Sequence, residues 1–130
     1  MSRVMDDLDK GENYTVRDIG LAEKGALLVD WARARMPVLA KLKEEAEQTK
    51  PLAGMRVAGC LHVTKETAVL IEAIGAAGAE ISWSGCNPLS TQDEVAAWLA
   101  GEGYSVHAWH GQSTDDFYWC IDKTLEFKPT

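Results

Sequence analysis

From Met55 to Leu125, three short apolar runs alternate with three longer runs of helical period, and few folds accommodate that order. The strand-like runs are residues 55–60, 80–83 and 104–109. The helix-like runs are residues 67–77, 91–100 and 114–125, with Gly78 closing the first and Gly101 or Gly103 the second. Short strands joined by helical crossovers predict a parallel sheet with right-handed connections and helices on both faces. The expected fold class is α/β: a three-layer α/β/α, Rossmann-like parallel sheet forming a partial domain. In doubly wound sheets the first three strands run outward in the order 3-2-1 and a fourth returns beside strand one. Residues 55–60 should therefore have an open edge in this chain.

Two N-terminal helices are expected before the sheet. Asp18 can cap a helix that carries Leu21, Ala22, Ala26, Val29 and Ala32 on one face to about Arg35. Pro37 suits the first turn of a second helix, where its missing N–H costs nothing, with Val38, Leu39, Leu42 and Ala46 turned inward. Lys41, Lys43, Glu44, Glu45 and Glu47 read as its solvated face. Further on, Thr91-x-x-Glu94 has the pattern of a capping box. Ser113 is a candidate N-cap, and Phe117, Ile121 and Leu125 a candidate buried stripe. Cys60, Cys120 and the five tryptophans read as core.

Composition narrows the function. A chain of 130 residues, 46% hydrophobic and 25% charged, can bury the core of one domain. A net charge of −7 repels phosphate backbones and argues against a nucleic-acid partner. The N-terminus has no apolar signal segment, and the longest apolar stretch, residues 68–79, is short and interrupted by Glu72. No membrane association and a cytoplasmic location are expected. Three cysteines without close spacing argue against a disulfide framework and a structural zinc, and His107 and His110 sit too awkwardly for a metal pair. No metal site is expected.

The candidate chemistry gathers where the three strand-like runs end. His62, Thr64 and Glu66 follow the first, Ser84, Cys86, Asn87 and Ser90 the second, and His110 and Gly111 the third. In an open α/β sheet these loops leave the same edge, where ligands bind. A plain crossover is satisfied by Gly, Asn or Ser. An imidazole, two hydroxyls and a carboxylate between His62 and Thr67 form a set of hydrogen-bonding groups. The same residues would also serve a capped helix start, with Thr64 as N-cap and Glu66 in the dipole-favoured first turn. Neither G-x-G-x-x-G nor G-x-x-x-x-G-K-[ST] occurs, so the chain carries no dinucleotide fingerprint and no P-loop.

The run Cys60-Leu61-His62-Val63-Thr64-Lys65-Glu66-Thr67-Ala68-Val69-Leu70-Ile71-Glu72 resembles the substrate-domain signature of the S-adenosylhomocysteine hydrolases (adenosylhomocysteinases). Asn87-Pro88-Leu89-Ser90-Thr91-Gln92-Asp93 and Tyr118-Trp119-Cys120-Ile121 resemble further family motifs, and the likeness covers residues 16–125. The resemblance implies reversible hydrolysis of S-adenosyl-L-homocysteine to adenosine and L-homocysteine, through an NAD-dependent cycle of oxidation, elimination, hydration and reduction. It implies that Thr64 and Glu66 contact the adenine, that Leu61 supports it, and that His62 is catalytic beside the ribose. Thr67 and Ser90 fall at substrate-binding positions. Residues 1–15 then read as an N-terminal arm and 16–130 as the N-terminal part of the substrate-binding domain. NAD would be held by a domain missing from this chain, so the chain alone should be inactive. Homo-oligomers, usually tetramers, are the family's habit. Two alternatives stay open: a stand-alone nucleoside-binding or regulatory module without catalysis, and a hydrolase acting on S-inosylhomocysteine. Gly85, His110 and Gln112 depart from frequent family residues at the loop edge.

Overall fold

The structure, a computed structural model, describes residues 7–130; residues 1–6 of the expected arm lie outside the described residues. Among the described residues, five strands and five α-helices follow in the order β1 (Asp9–Lys10), β2 (Tyr14–Val16), α1 (Ala22–Arg33), α2 (Pro37–Thr49), β3 (Arg56–Cys60), α3 (Lys65–Ala76), β4 (Glu80–Ser84), α4 (Asp93–Gly101), β5 (Ser105–His107) and α5 (Thr114–Glu126). The sheet order is β1-β2-β5-β4-β3. The three anticipated strands are parallel, and β3 is the edge, as the doubly wound order requires.

The stretch read as an arm contains β1 and the first two residues of β2. β2 pairs parallel to β5 through Tyr14↔Val106 and Thr15↔His107, and β1 turns back antiparallel against β2. The sheet is therefore mixed and five-stranded. Val16 is fully buried and the Thr15 hydroxyl bonds His107 Nδ1 at 3.1 Å, which ties the strand into the core.

α1, α3 and α4 cover one face of the sheet, α5 covers the other, and α2 lies outside against α3. The main core comprises Val29, Val69, Ile71, Ile81, Trp83, Leu99 and Val106, among others. Alternation along β4 sends Ile81 and Trp83 into that core and leaves Ser82 and Ser84, also buried, on the face that α5 closes. α1 and α4 meet closely at Gly25, where a Cβ would come within 2.0 Å of the Glu94 carbonyl.

Several packing expectations are corrected. Asp18 caps a short 3-10 turn, Ile19–Leu21, and α1 begins only at Ala22. Val38 and Leu42, expected inward, are 72% and 50% exposed because, among the described residues, α2 packs chiefly by its other side, against α3. In α5 the buried line is Asp116, Cys120 and Thr124, one position before the expected stripe. Leu125 faces water. The Ser113–Asp116 capping box opens this helix. Thr91-x-x-Glu94 forms no box: Gln92 is the N-cap of α4, and the buried Thr91 hydroxyl has no partner among the described residues. Cys60 is exposed because it ends an edge strand, whereas Cys120 is buried and its thiol is pushed up to about 12 by burial.

Met55 O and Leu61 N bond β4 at Glu80 N and Ser84 O, so alternation aims Val57 and Gly59 at β4 and Arg56, Ala58 and Cys60 outward. Thr130 meets the first outward position: its N–H donates to Arg56 O at 2.8 Å, and Arg56 N–H donates to its hydroxyl at 2.9 Å. Arg56 also donates to the Phe127 carbonyl and stacks 4.0 Å from the Phe127 ring.

His107 yields a pH prediction. Burial lowers its pKa from 6.5 to about 4, helped by Lys123 and opposed by Glu126. The unfolded chain therefore takes up a proton that the folded chain refuses, and stability falls as pH drops from 6.5 towards 4. Urea unfolding at pH 7 and pH 5 should differ by about 2 kcal/mol from this group, and His107→Leu should remove that part of the slope.

Candidate functional site

β3 ends at Cys60 and the chain turns through Leu61, His62 and Val63 into α3. Val63 is fully buried and pins the turn from beneath, while Leu61, His62 and Glu66 stand on an open ledge. Thr64 is the extended N-cap of α3, and its Oγ1 accepts the Thr67 N–H at 3.5 Å. Thr67 is buried, with its hydroxyl 3.3 Å from that of Thr64. The capped helix start is thus real; Leu61 and His62 precede it, and Glu66, within its first turn, keeps an exposed side chain beside Lys65.

The other two loops are laced to this one. His62 Nδ1 lies 2.7 Å from Ser90 Oγ, which also reaches the Asn87 carbonyl at 3.4 Å. With Nδ1 engaged, Nε2 is the free end of the imidazole, and the tautomer decides whether it gives or takes a proton. Gln92 bonds the first loop twice, from its N–H to Val63 O at 2.9 Å and from Lys65 N–H to its Oε1 at 2.8 Å. The third loop follows: Gly111 N–H and Gln112 N–H donate to Pro88 O at 2.9 and 3.2 Å, and His110 N–H donates to Asp93 Oδ1 at 2.9 Å. Burial raises the Asp93 pKa, against the His110 hydrogen bond and the charge of Arg17. Arg17 donates to the His110 carbonyl at 2.6 Å, so the N-terminal segment also braces this edge.

Of the residues singled out from the sequence, His62 and Ser90 touch directly, and Leu61, Thr64, Glu66 and Thr67 share the same turn. His110 joins through its backbone; its side chain is exposed. Two features had no forecast. One is the pair of hydrogen bonds at Gln92, its N–H donating to Val63 O and its Oε1 accepting from Lys65 N–H. The other is Trp31, read as core but 51% exposed, with Arg35 3.9 Å and Lys65 5.4 Å from its ring. Lys65 Nζ is also 3.2 Å from Glu66 Oε1, which sets an ammonium beside the carboxylate on the ledge. No group of three or more His, Cys, Asp or Glu suited to a metal occurs among the described residues. No described helix is long and apolar enough to cross a membrane.

A dinucleotide does not fit this joint. Its pyrophosphate needs close backbone approach at a glycine-rich turn and a helix N-terminus free of negative charge. Here the turn is Leu61-His62-Val63 and Glu66 occupies the first turn of α3. An uncharged nucleoside meets neither obstacle.

The family model for S-adenosyl-L-homocysteine hydrolase matches residues 13–130. The chain belongs to this family. It is 48% identical over 117 residues to the adenosylhomocysteinase of Sulfolobus acidocaldarius, covering 90% of the chain and 28% of that protein. It is 47% identical over 120 residues to the S-inosyl-L-homocysteine hydrolase of Methanopyrus kandleri, covering 92% of the chain and 28% of that protein. The chain thus spans little more than a quarter of the length of these relatives.

In this hydrolase-family ledge, Trp83 sets the height of the first loop. Its ring lies over Gly59, where a Cβ would fall 2.3 Å from the ring, and its Nε1 donates to Leu61 O at 3.2 Å. Gly59→Ala should displace the indole, break that bond and destabilise the chain by about 1–3 kcal/mol, the usual cost of overpacking. Urea unfolding measures the loss, and the Trp83 indole N–H resonance should move with it.

Proposed function

We propose that this chain forms the nucleoside-holding part of an S-adenosyl-L-homocysteine hydrolase, which reversibly hydrolyses its substrate to adenosine and L-homocysteine. The observation that carries the reading is the convergence of His62, Ser90, Thr64 and Glu66 on one ledge at the carboxyl edge of the sheet. The Glu66 carboxylate accepts from the exocyclic amine of adenine and Thr64 supplies a hydroxyl at the base. Leu61, 41% exposed, offers the apolar surface on which a purine rests. His62, oriented by Ser90, presents Nε2 towards the ribose, where it holds or moves a proton. Thr67 braces Thr64 from beneath. The dinucleotide of the family's reaction, NAD, has its seat outside these residues. The complete enzyme works in the cytoplasm as a homo-oligomer, a tetramer by family habit.

A second base is favoured by Lys65. Its ammonium beside Glu66 Oε1 pairs a donor with an acceptor. Adenine offers a donor at the 6-position and an acceptor at N1; hypoxanthine offers the reverse. A side-by-side donor and acceptor can meet either edge, in keeping with an inosyl-named relative at 47% identity.

Titration of the ¹⁵N-labelled chain with adenosine and inosine tests the reading. Shifts should concentrate at residues 61–67 and 90. Glu66→Ala should weaken adenosine binding by about 1.5–3 kcal/mol, the worth of a hydrogen bond to a charged group, with little change in melting temperature. A large loss of stability with unchanged affinity would assign Glu66 to the helix start alone.

A further inference from the structure

We infer that Gln92 is a positioning residue, which holds the first turn of α3 so that Thr64 and Glu66 meet the base in register with His62. The inference rests on the nucleoside reading of the ledge. α3 begins with three N–H groups that no carbonyl of its own can reach, those of Lys65, Glu66 and Thr67. The internal cap is weak: Thr64 Oγ1 stands 3.5 Å from the Thr67 nitrogen, at the limit of a hydrogen bond. The short contact comes from outside the helix, from Gln92 Oε1 to the Lys65 nitrogen at 2.8 Å.

Gln92 occupies an unusual place for such a role. It is the N-cap of α4, yet its side chain makes no bond to its own helix. Its carbonyl accepts the Val95 and Ala96 N–H groups in the ordinary way, while its amide oxygen crosses to the neighbouring helix. Its backbone N–H donates to Val63 O at 2.9 Å, so one residue grips the segment from Val63 to Lys65 on both sides of Thr64. Two positions earlier, Ser90 Oγ holds His62 Nδ1 at 2.7 Å. His62 and Glu66 are the residues just outside the gripped segment, so the β4–α4 loop sets the spacing between the imidazole and the carboxylate. Loss of the Gln92 acceptor frees the Lys65 N–H and the first turn, while Val63 and Thr67 stay buried and the core stays packed.

The test uses the whole chain and two variants of nearly equal side-chain length. Gln92→Met removes the acceptor; Gln92→Glu keeps it. Adenosine affinity is read from the amide shifts of residues 61–67, Lys65 N–H protection from hydrogen exchange, and folding from the melting temperature. Gln92→Met should weaken adenosine about tenfold, the factor for one hydrogen bond's worth of positioning, and speed exchange at Lys65 while the melting temperature holds. Gln92→Glu should restore both. Wild-type affinity in Gln92→Met, with the wild type binding, overturns the positioning role and leaves the nucleoside reading standing. A fall in affinity that tracks a fall in melting temperature, without rescue by Gln92→Glu, also overturns it. No adenosine shift in the wild type overturns the nucleoside reading itself.

Discussion

The in-register parallel pairing of β3 with β4, from Arg56↔Glu80 to Cys60↔Ser84, is the constraint on which the ledge depends. It makes both strands end at one level, so the loops that follow start side by side. Gly59 leaves room for the Trp83 ring across that pair, and the indole N–H then holds the Leu61 carbonyl. A side chain in the middle of the sheet thereby sets where the first loop turns. β5 continues the pattern one strand further, and Pro88 O collects the two N–H groups that follow it.

Short polar links then hold the three loops to one another. Ser90 orients His62, Gln92 grips the start of α3, and Asp93 receives the His110 N–H from its half-buried place. Charge enters locally, at Glu66 and Lys65, in a chain with a net charge of −7. Such a ledge suits a neutral, flat ligand with hydrogen-bonding edges better than a phosphorylated one. The carboxylate at the helix N-terminus complements the dipole and excludes a pyrophosphate from the same place.

The strand–helix alternation after Met55 was legible because strands and helices of this length carry distinct periods. The edge position of β3 followed from topology. β1 and β2 were not legible: strands of two and three residues, Asp9–Lys10 and Tyr14–Val16, are too short for a period, and β2, against which β1 folds back, takes its place from β5, nearly a hundred residues away. Helical period marked Val38 and Leu42 as one apolar face, but a period cannot say whether a neighbour covers it. The polar set at His62, Thr64 and Glu66 was visible from residue types. The Gln92 bracket was hidden because a glutamine before a helix ordinarily signals nothing, and its partner lies 27 positions back. Trp31 misled for a related reason: an indole reads as core until two cations are found against its face.

A structure of this chain with adenosine bound tests the central claim most directly. The account predicts the purine against Leu61 with its 6-amino group at the Glu66 carboxylate, Thr64 at its edge, and the ribose on the His62 side. A nucleoside seated elsewhere, for example in the hollow of about 330 Å³ between Tyr14, His107 and Trp119, with the ledge empty, would contradict it.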